Sequence, residues 1–192
     1  MPETLQVECQ HRQAAGCNLV STTFYFKQLD ISYDQSEILN FFNTTEKHNN
    51  GFKAMDSKDA LVKLPSVAVW FDSQQIIPAY ALYIAIGKHY QQPIHTDAGS
   101  RQLAINFPIY NCDTAITNFY EVDESSAKPH KTINNGLPAV EYTITKSKIC
   151  SFVLTKPTLI NIKAPHGVDN NTDFTRYALS FRFHQDPVHL IN

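Results

Sequence analysis

Two histidines and one aspartate carry the most pointed chemistry in this sequence. His95-Thr96-Asp97 stands just ahead of a β-rich stretch. In extended backbone, residues i and i+2 project to the same side, so His95 and Asp97 can present an imidazole nitrogen and a carboxylate oxygen to one point. A third donor comes from His166, in an expected turn Ala164-Pro165-His166-Gly167 that follows a predicted strand over 158–163. Two imidazoles and one carboxylate on one face of a metal leave positions open for a chelating ligand and for oxygen, a donor set that suits iron(II). The chain has 8 histidines, so pairs arise by chance, and an HxD or a single His taken alone is more often a solvated turn. His130 is an alternative ligand, without a partner at useful spacing. It lies in a long polar segment, 123–138, whose length suits a lid or a substrate-recognising loop.

Weight comes from Arg176, ten residues after His166 and inside a predicted strand over 175–183. Alternation puts Arg176, Ala178 and Ser180 on one face and Tyr177, Leu179, Phe181 and Phe183 on the other. A strand with one apolar face and an Arg, a small residue and a hydroxyl on its other face fits a wall of a ligand cavity. A guanidinium grips a carboxylate through two parallel hydrogen bonds, and Ser180 can add a third. The competing reading is an edge strand whose polar face meets water. Arg101, four residues after Asp97, either reaches a bound acid or substrate or is a surface charge.

The elements that must position these side chains fall into two parts. Residues 21–26 read as a strand, 36–42 as a short helix after Asp34, and 46–51 as a loop. Residues 66–71 (SVAVWF) read as a strand. Residues 76–90 are ambiguous: Pro78 near the start and Gly87 near the end favour a helix, while β-branched content leaves the extended form open. From Pro93 onward, strands are expected over 102–110, 115–122, 140–145, 150–155, 158–163 and 175–183, with turn residues between them and no helix. Short strands at this spacing argue for a sandwich or barrel of jelly-roll type. The expected architecture is mainly β: an N-terminal α/β support and a barrel over about residues 90–185, in one domain spanning 1–192.

Composition sets the outer limits. Hydrophobic residues at 43% and charged residues at 18% describe a globular chain, not a disordered one. A net charge of −2 gives no basic excess for general nucleic-acid or membrane-surface binding. Cys9, Cys17, Cys112 and Cys150 form no CxxC pair, which removes a zinc ribbon and favours buried thiols of a reducing compartment. No apolar run approaches the ~20 residues of a membrane span, and residues 1–10 lack the features of a signal peptide. A cytoplasmic location is the expectation.

HTD at 95–97, APHGV at 164–168 and TRYALSF at 175–181 together resemble the Fe(II)/2-oxoglutarate-dependent oxygenase superfamily. The string Arg176-Tyr-Ala-Leu-Ser180 is similar to the last barrel strand of prolyl hydroxylases. The block Ala104-Ile105-Asn106-Phe107-Pro108-Ile109 is similar to one in aspartyl/asparaginyl β-hydroxylases, with Asn106 standing where those carry a 2-oxoglutarate-binding His. The resemblance covers roughly residues 90–185 and implies a double-stranded β-helix of cupin-like type. It implies iron(II) on His95, Asp97 and His166, with 2-oxoglutarate as cosubstrate held by Arg176 and Ser180, and with Asn106 and Arg101 nearby. O2 would be the oxidant and ascorbate a supporting reductant. The implied activity is dioxygenase hydroxylation of a polypeptide side chain. A free amino acid or other small metabolite is the alternative substrate, and a non-enzymatic cupin-like metal-binding domain the alternative function.

Overall fold

The computed structural model describes residues 24–130 and 139–191. In chain order the first part holds β1 (Phe26–Gln28), α1 (Gln35–Thr44), β2 (Gly51–Asp56), α2 (Ser57–Val62), α3 (Pro65–Ser73) and β3 (Pro78–Ile86). There follow β4 (Tyr90–Gln91), β5 (His95–Asp97), β6 (Leu103–Tyr110), β7 (Ile116–Val122), β8 (Ala127–His130) and β9 (Ala139–Tyr142). The last four are β10 (Thr145–Val153), β11 (Thr158–Asn161), β12 (His166–Asn170) and β13 (Arg176–Phe183). They form two antiparallel sheets. One has the order β1-β11-β6-β13-β3-β2 and the other β10-β7-β12-β5-β9-β8, with β4 added beside β12. From β5 to β7 and from β10 to β13, successive strands cross from one sheet to the other.

The six-stranded sheet is covered on both faces. α1, α2 and α3 pack on the outer one, where Phe41, Leu64, Val67 and Phe71 meet Tyr83, Phe107, Leu179 and Phe181. On the inner one, Ala104, Ile160 and Ala178 meet Phe119, Cys150 and Phe152 of the second sheet. A strand buried on both faces loses the polar alternation that would mark it in sequence. All eight residues of β13 are buried accordingly.

Two N-terminal expectations are corrected by this packing. Residues 66–71 form α3, not a strand. Pro65 occupies its first turn, and Val67 and Phe71 are buried one helical turn apart while Val69 between them is 69% exposed. A strand would have put all three on one face. The ambiguity over 76–90 resolves against the favoured helix: residues 78–86 take the extended form as β3, between β2 and β13. Gly87 is no helix cap: a Cβ there would stand 2.9 Å from the Asn49 carbonyl oxygen, so the glycine admits a close backbone approach. The helix after Asp34 is present, its cap made by the Asp34 carboxylate accepting from the Ser36 amide at 2.8 Å.

The turn expected over 165–173 is also corrected. His166–Asn170 is strand β12, paired with β4, β5 and β7. Gly167, Asp169 and Asn170 are poor strand formers, and tertiary contacts override that preference. The Asn170 side-chain amide donates to the carbonyls of Ile86, Gly87 and Phe174 at 2.8–3.0 Å, which ties the end of β12 to the end of β3. A Cβ on Gly167 would lie 3.0 Å from the Gln92 carbonyl oxygen, so only glycine lets β12 sit this close to residues 92–94. The expected strand at 21–26 is described only from Phe24, and β1 begins at Phe26. Cys112 is a buried thiol that donates to the Tyr177 carbonyl at 2.9 Å, whereas Cys9 and Cys17 lie outside the described residues. Among the described residues no helix is long and apolar enough to cross a membrane.

Candidate metal centre

β5 and β12 are antiparallel neighbours with His95 directly opposite His166. The two rings therefore face each other, their centroids 4.5 Å apart. Asp97 follows on the same side of β5, and its amide donates to the Ile162 carbonyl at 3.0 Å. One donor atom from each of His95, Asp97 and His166 lies within 4.8 Å of the other two. The two histidines are buried and Asp97 nearly so, its side chain 16% exposed.

Backbone carbonyls fix what the rings can offer. His95 Nδ1 lies 2.8 Å from the Pro93 carbonyl oxygen and His166 Nδ1 2.9 Å from the Ala164 carbonyl oxygen. A carbonyl can only accept, so Nδ1 carries the proton in each ring, and in the neutral tautomer that this selects, Nε2 is the nitrogen with the lone pair. His95 Nε2 stands 3.4 Å from Asp97 Oδ1. Two nitrogen lone pairs and a carboxylate oxygen thus converge on one another, an arrangement that a shared cation relieves. Imidazole ligands whose second nitrogen donates to a carbonyl are the usual metal-binding pattern. The donor set therefore fits a divalent metal.

The electrostatics agree. Burial, reinforced by the neighbouring His95, lowers the pKa of His166 to about 4, so its ring is neutral and able to ligate at neutral pH. For Asp97, burial favours the neutral acid. The Arg182 guanidinium outweighs it and holds the carboxyl well below the usual carboxylate range. Arg182 Nη2 reaches Asp97 Oδ2 at 2.8 Å.

A cavity opens beside these groups. The six-stranded sheet contributes Leu82, Ile84, Ile86, Asn106, Ile160, Arg176, Ala178 and Arg182; the other contributes His95, Asp97, Thr117, His166 and Val168. Arg176 is 3% exposed, its Nε has no hydrogen-bond partner, and it forms no ion pair with a described carboxylate. An unpaired buried guanidinium is costly. Two guanidiniums against one carboxylate leave the cavity with positive charge in excess, which an anion would balance.

The structure brings most of the sequence candidates together. His95, Asp97, His166, Asn106 and Arg176 all line the cavity. The Asn106 Oδ1 atom is buried without a partner. Ser180 pairs in register with Asn106 and its Oγ is also unpartnered, yet it is fully buried and does not border the open space. Arg101 is not brought in. The chain turns outward through Gly99, at φ 101°, and residues 98–102 are exposed. Of the 123–138 segment, residues 131–138 and the His130 side chain lie outside the described residues. Arg182 is the residue that sequence reasoning missed. Extending the alternation Arg176, Ala178, Ser180 by one step reaches it.

No protein-family model matches this chain, and neither does any curated protein. Solved structures do show similarity. The non-heme alpha ketoglutarate dependent carbocyclase SnoK from nogalamycin biosynthesis matches at 10% identity over 81% of this chain and 78% of that one, TM-score 0.46. The epimerase SnoN, in complex with Fe3+, alpha ketoglutarate and nogalamycin RO, matches at 13% identity over 76% and 70%, TM-score 0.43. EvdO2 from Micromonospora carbonacea var. aurantiaca matches at 14% identity over 76% and 73%, TM-score 0.38.

Proposed function

We propose that this chain is an Fe(II)- and 2-oxoglutarate-dependent dioxygenase, with its two facing sheets forming one double-stranded β-helix domain. The observation that carries the reading is the pairing, in one cavity, of a His–Asp–His donor cluster with an unpartnered buried arginine. A metal site without that arginine would suit many metalloproteins. The arginine adds a demand for a carboxylate at a distance from the metal, which a chelating dicarboxylic oxo acid meets.

In this reading His95, Asp97 and His166 hold iron(II), and Arg176 holds the distal carboxylate of 2-oxoglutarate, with Asn106 beside it. When bound, iron and the oxo acid supply the oxidising chemistry, in which O2 and 2-oxoglutarate give succinate and CO2 as a substrate is oxidised. The chain's own part is orientation and shielding. Pro93 and Ala164 keep both imidazoles in the ligating tautomer, and Ile84, Ile86, Ile160 and Val168 keep the cavity apolar around the reacting groups. Asp97 fills the position that a small residue would leave for a halide, so hydroxylation is the favoured outcome over halogenation. On the resemblance to two hydroxylase families, the carbon oxidised belongs to a polypeptide side chain.

The test is direct. Purified protein with Fe(II), ascorbate and 2-oxoglutarate is expected to release succinate. With Mn(II) in place of iron it is expected to bind 2-oxoglutarate in a calorimeter. Absence of both would discard the reading.

A further inference from the structure

Arg182 lies at the end of β13, on the same face as Arg176, and borders the cavity. It is 7% exposed. Its Nη2 binds Asp97 Oδ2 at 2.8 Å, and its Nε is buried without a partner. The other oxygen, Oδ1, faces His95 Nε2 at 3.4 Å. The two carboxylate oxygens are thus assigned to different neighbours, one to a guanidinium and one to the point where the three donors meet.

From this division we infer that Arg182 is a positioning residue for the metal centre: it holds Asp97 by one oxygen so that only the other is presented for ligation. The inference rests on the dioxygenase reading only as far as the metal. A carboxylate free to rotate could close on a cation with both oxygens or swing away, and either would alter the donor set. Groups that orient a metal ligand in this way typically contribute 10–100-fold to metal affinity. The planar guanidinium holds its one contacting nitrogen, Nη2, in a fixed orientation toward Oδ2, which a freely rotating lysine ammonium does not.

Simple electrostatics makes the opposite prediction, and this makes the inference testable. Arg182 is a cation close to a cation site. If it acted only through charge, Arg182→Met would tighten metal binding and Arg182→Lys, which keeps the charge, would leave it unchanged. Positioning instead predicts that both variants bind more weakly. Arg182→Lys is the deciding variant, because it keeps a positive charge beside Asp97 and changes only the geometry of the contact.

The experiment measures Co(II) affinity and the visible Co(II) spectrum of wild type, Arg182→Lys, Arg182→Met and His166→Ala, with circular dichroism confirming the fold. The expected result is a loss of about 10-fold or more in Co(II) affinity for Arg182→Lys, with a changed spectrum that reports an altered ligand geometry. Unchanged or tighter binding with an unaltered spectrum in Arg182→Lys would overturn the inference while leaving the dioxygenase reading intact. Wild type binding Co(II) no better than His166→Ala would overturn both. Should Arg182→Met fail to fold, Arg182→Lys alone decides.

Discussion

Replacing Arg176 with methionine separates ligand binding from stability. The side chain is 3% exposed with an unpartnered Nε, so the free protein carries a buried charge at a cost. Methionine fills similar length without that charge, and the ligand-free variant is expected to melt at the same temperature as wild type or higher. Ligand binding should move the other way. Losing a bidentate charge-assisted carboxylate contact costs about 2–3 kcal/mol, which is roughly 30–150-fold in Kd at about 1.4 kcal/mol per decade. For Mn(II)-loaded wild type with 2-oxoglutarate at about 100 times its Kd, linkage adds about 2.7 kcal/mol of stability. At about 2–4 °C per kcal/mol for a chain of this size, that is a rise of roughly 5–11 °C. In Arg176→Met the same 2-oxoglutarate concentration would add less than about 1 kcal/mol and about 1–3 °C. Differential scanning fluorimetry with and without 2-oxoglutarate reads both effects. A full shift retained by the variant would refute the assignment of Arg176 to the carboxylate. A ligand-free midpoint several degrees below wild type would refute the claim that the guanidinium is unpaired.

His166→Ala removes one of three converging donors and is expected to weaken Mn(II) binding by at least about 100-fold in calorimetry, more than disturbing a supporting group would; retained affinity would dismiss His166 as a ligand. For the metal-free protein, the lowered pKa of His166, about 4 when folded, means that the unfolded chain binds a proton first as pH falls. Stability should be flat above about pH 6.5 and decline from there toward about pH 4, by up to about 1.4 kcal/mol per unit. Denaturant titrations at several pH values check it, and a flat profile down to pH 5 would contradict a buried neutral ring. Gly167→Ala forces a Cβ to within 3.0 Å of the Gln92 carbonyl oxygen, which belongs to backbone and yields little. A cost of about 1–3 kcal/mol is expected from such overpacking, together with weaker Mn(II) binding because β12 carries His166 away from His95. Thermal melts with Mn(II) titration would show both.

The β-rich C-terminal region was legible because its strands keep short apolar runs between turn residues, and β6, β7, β11 and β13 stand within a few residues of their expected bounds. The N-terminal elements were harder for a physical reason. β3 is buried by α1–α3 on one face and lines the cavity on the other, so it reads as an apolar run of either helical or extended form. In α3, β-branched valines suggested a strand, but Pro65 in the first turn and the burial of Val67 and Phe71 against the sheet decide for a helix. β12 was invisible because Gly167, Asp169 and Asn170 have little strand preference of their own; the neighbours on either side and the Asn170 latch make it a strand.

The three candidate donors were legible and the contact that holds Asp97 was not, and the difference lies in the range of the contacts. Each histidine ring is steered by the carbonyl two residues before it, Pro93 for His95 and Ala164 for His166. The same local device is used twice, on strands that run in opposite directions. Because His95 and His166 are register partners, the two devices turn two Nε2 lone pairs toward one point. Nothing so local governs Asp97. Its carboxylate is oriented by Arg182, 85 positions away and on the other sheet, so the pairing exists only once the sheets face each other. A sequence pattern can therefore bring out the candidate donors without pairing the third of them with the group that contacts it. That group is reached only by following the alternation of β13 past Ser180 to the strand's end.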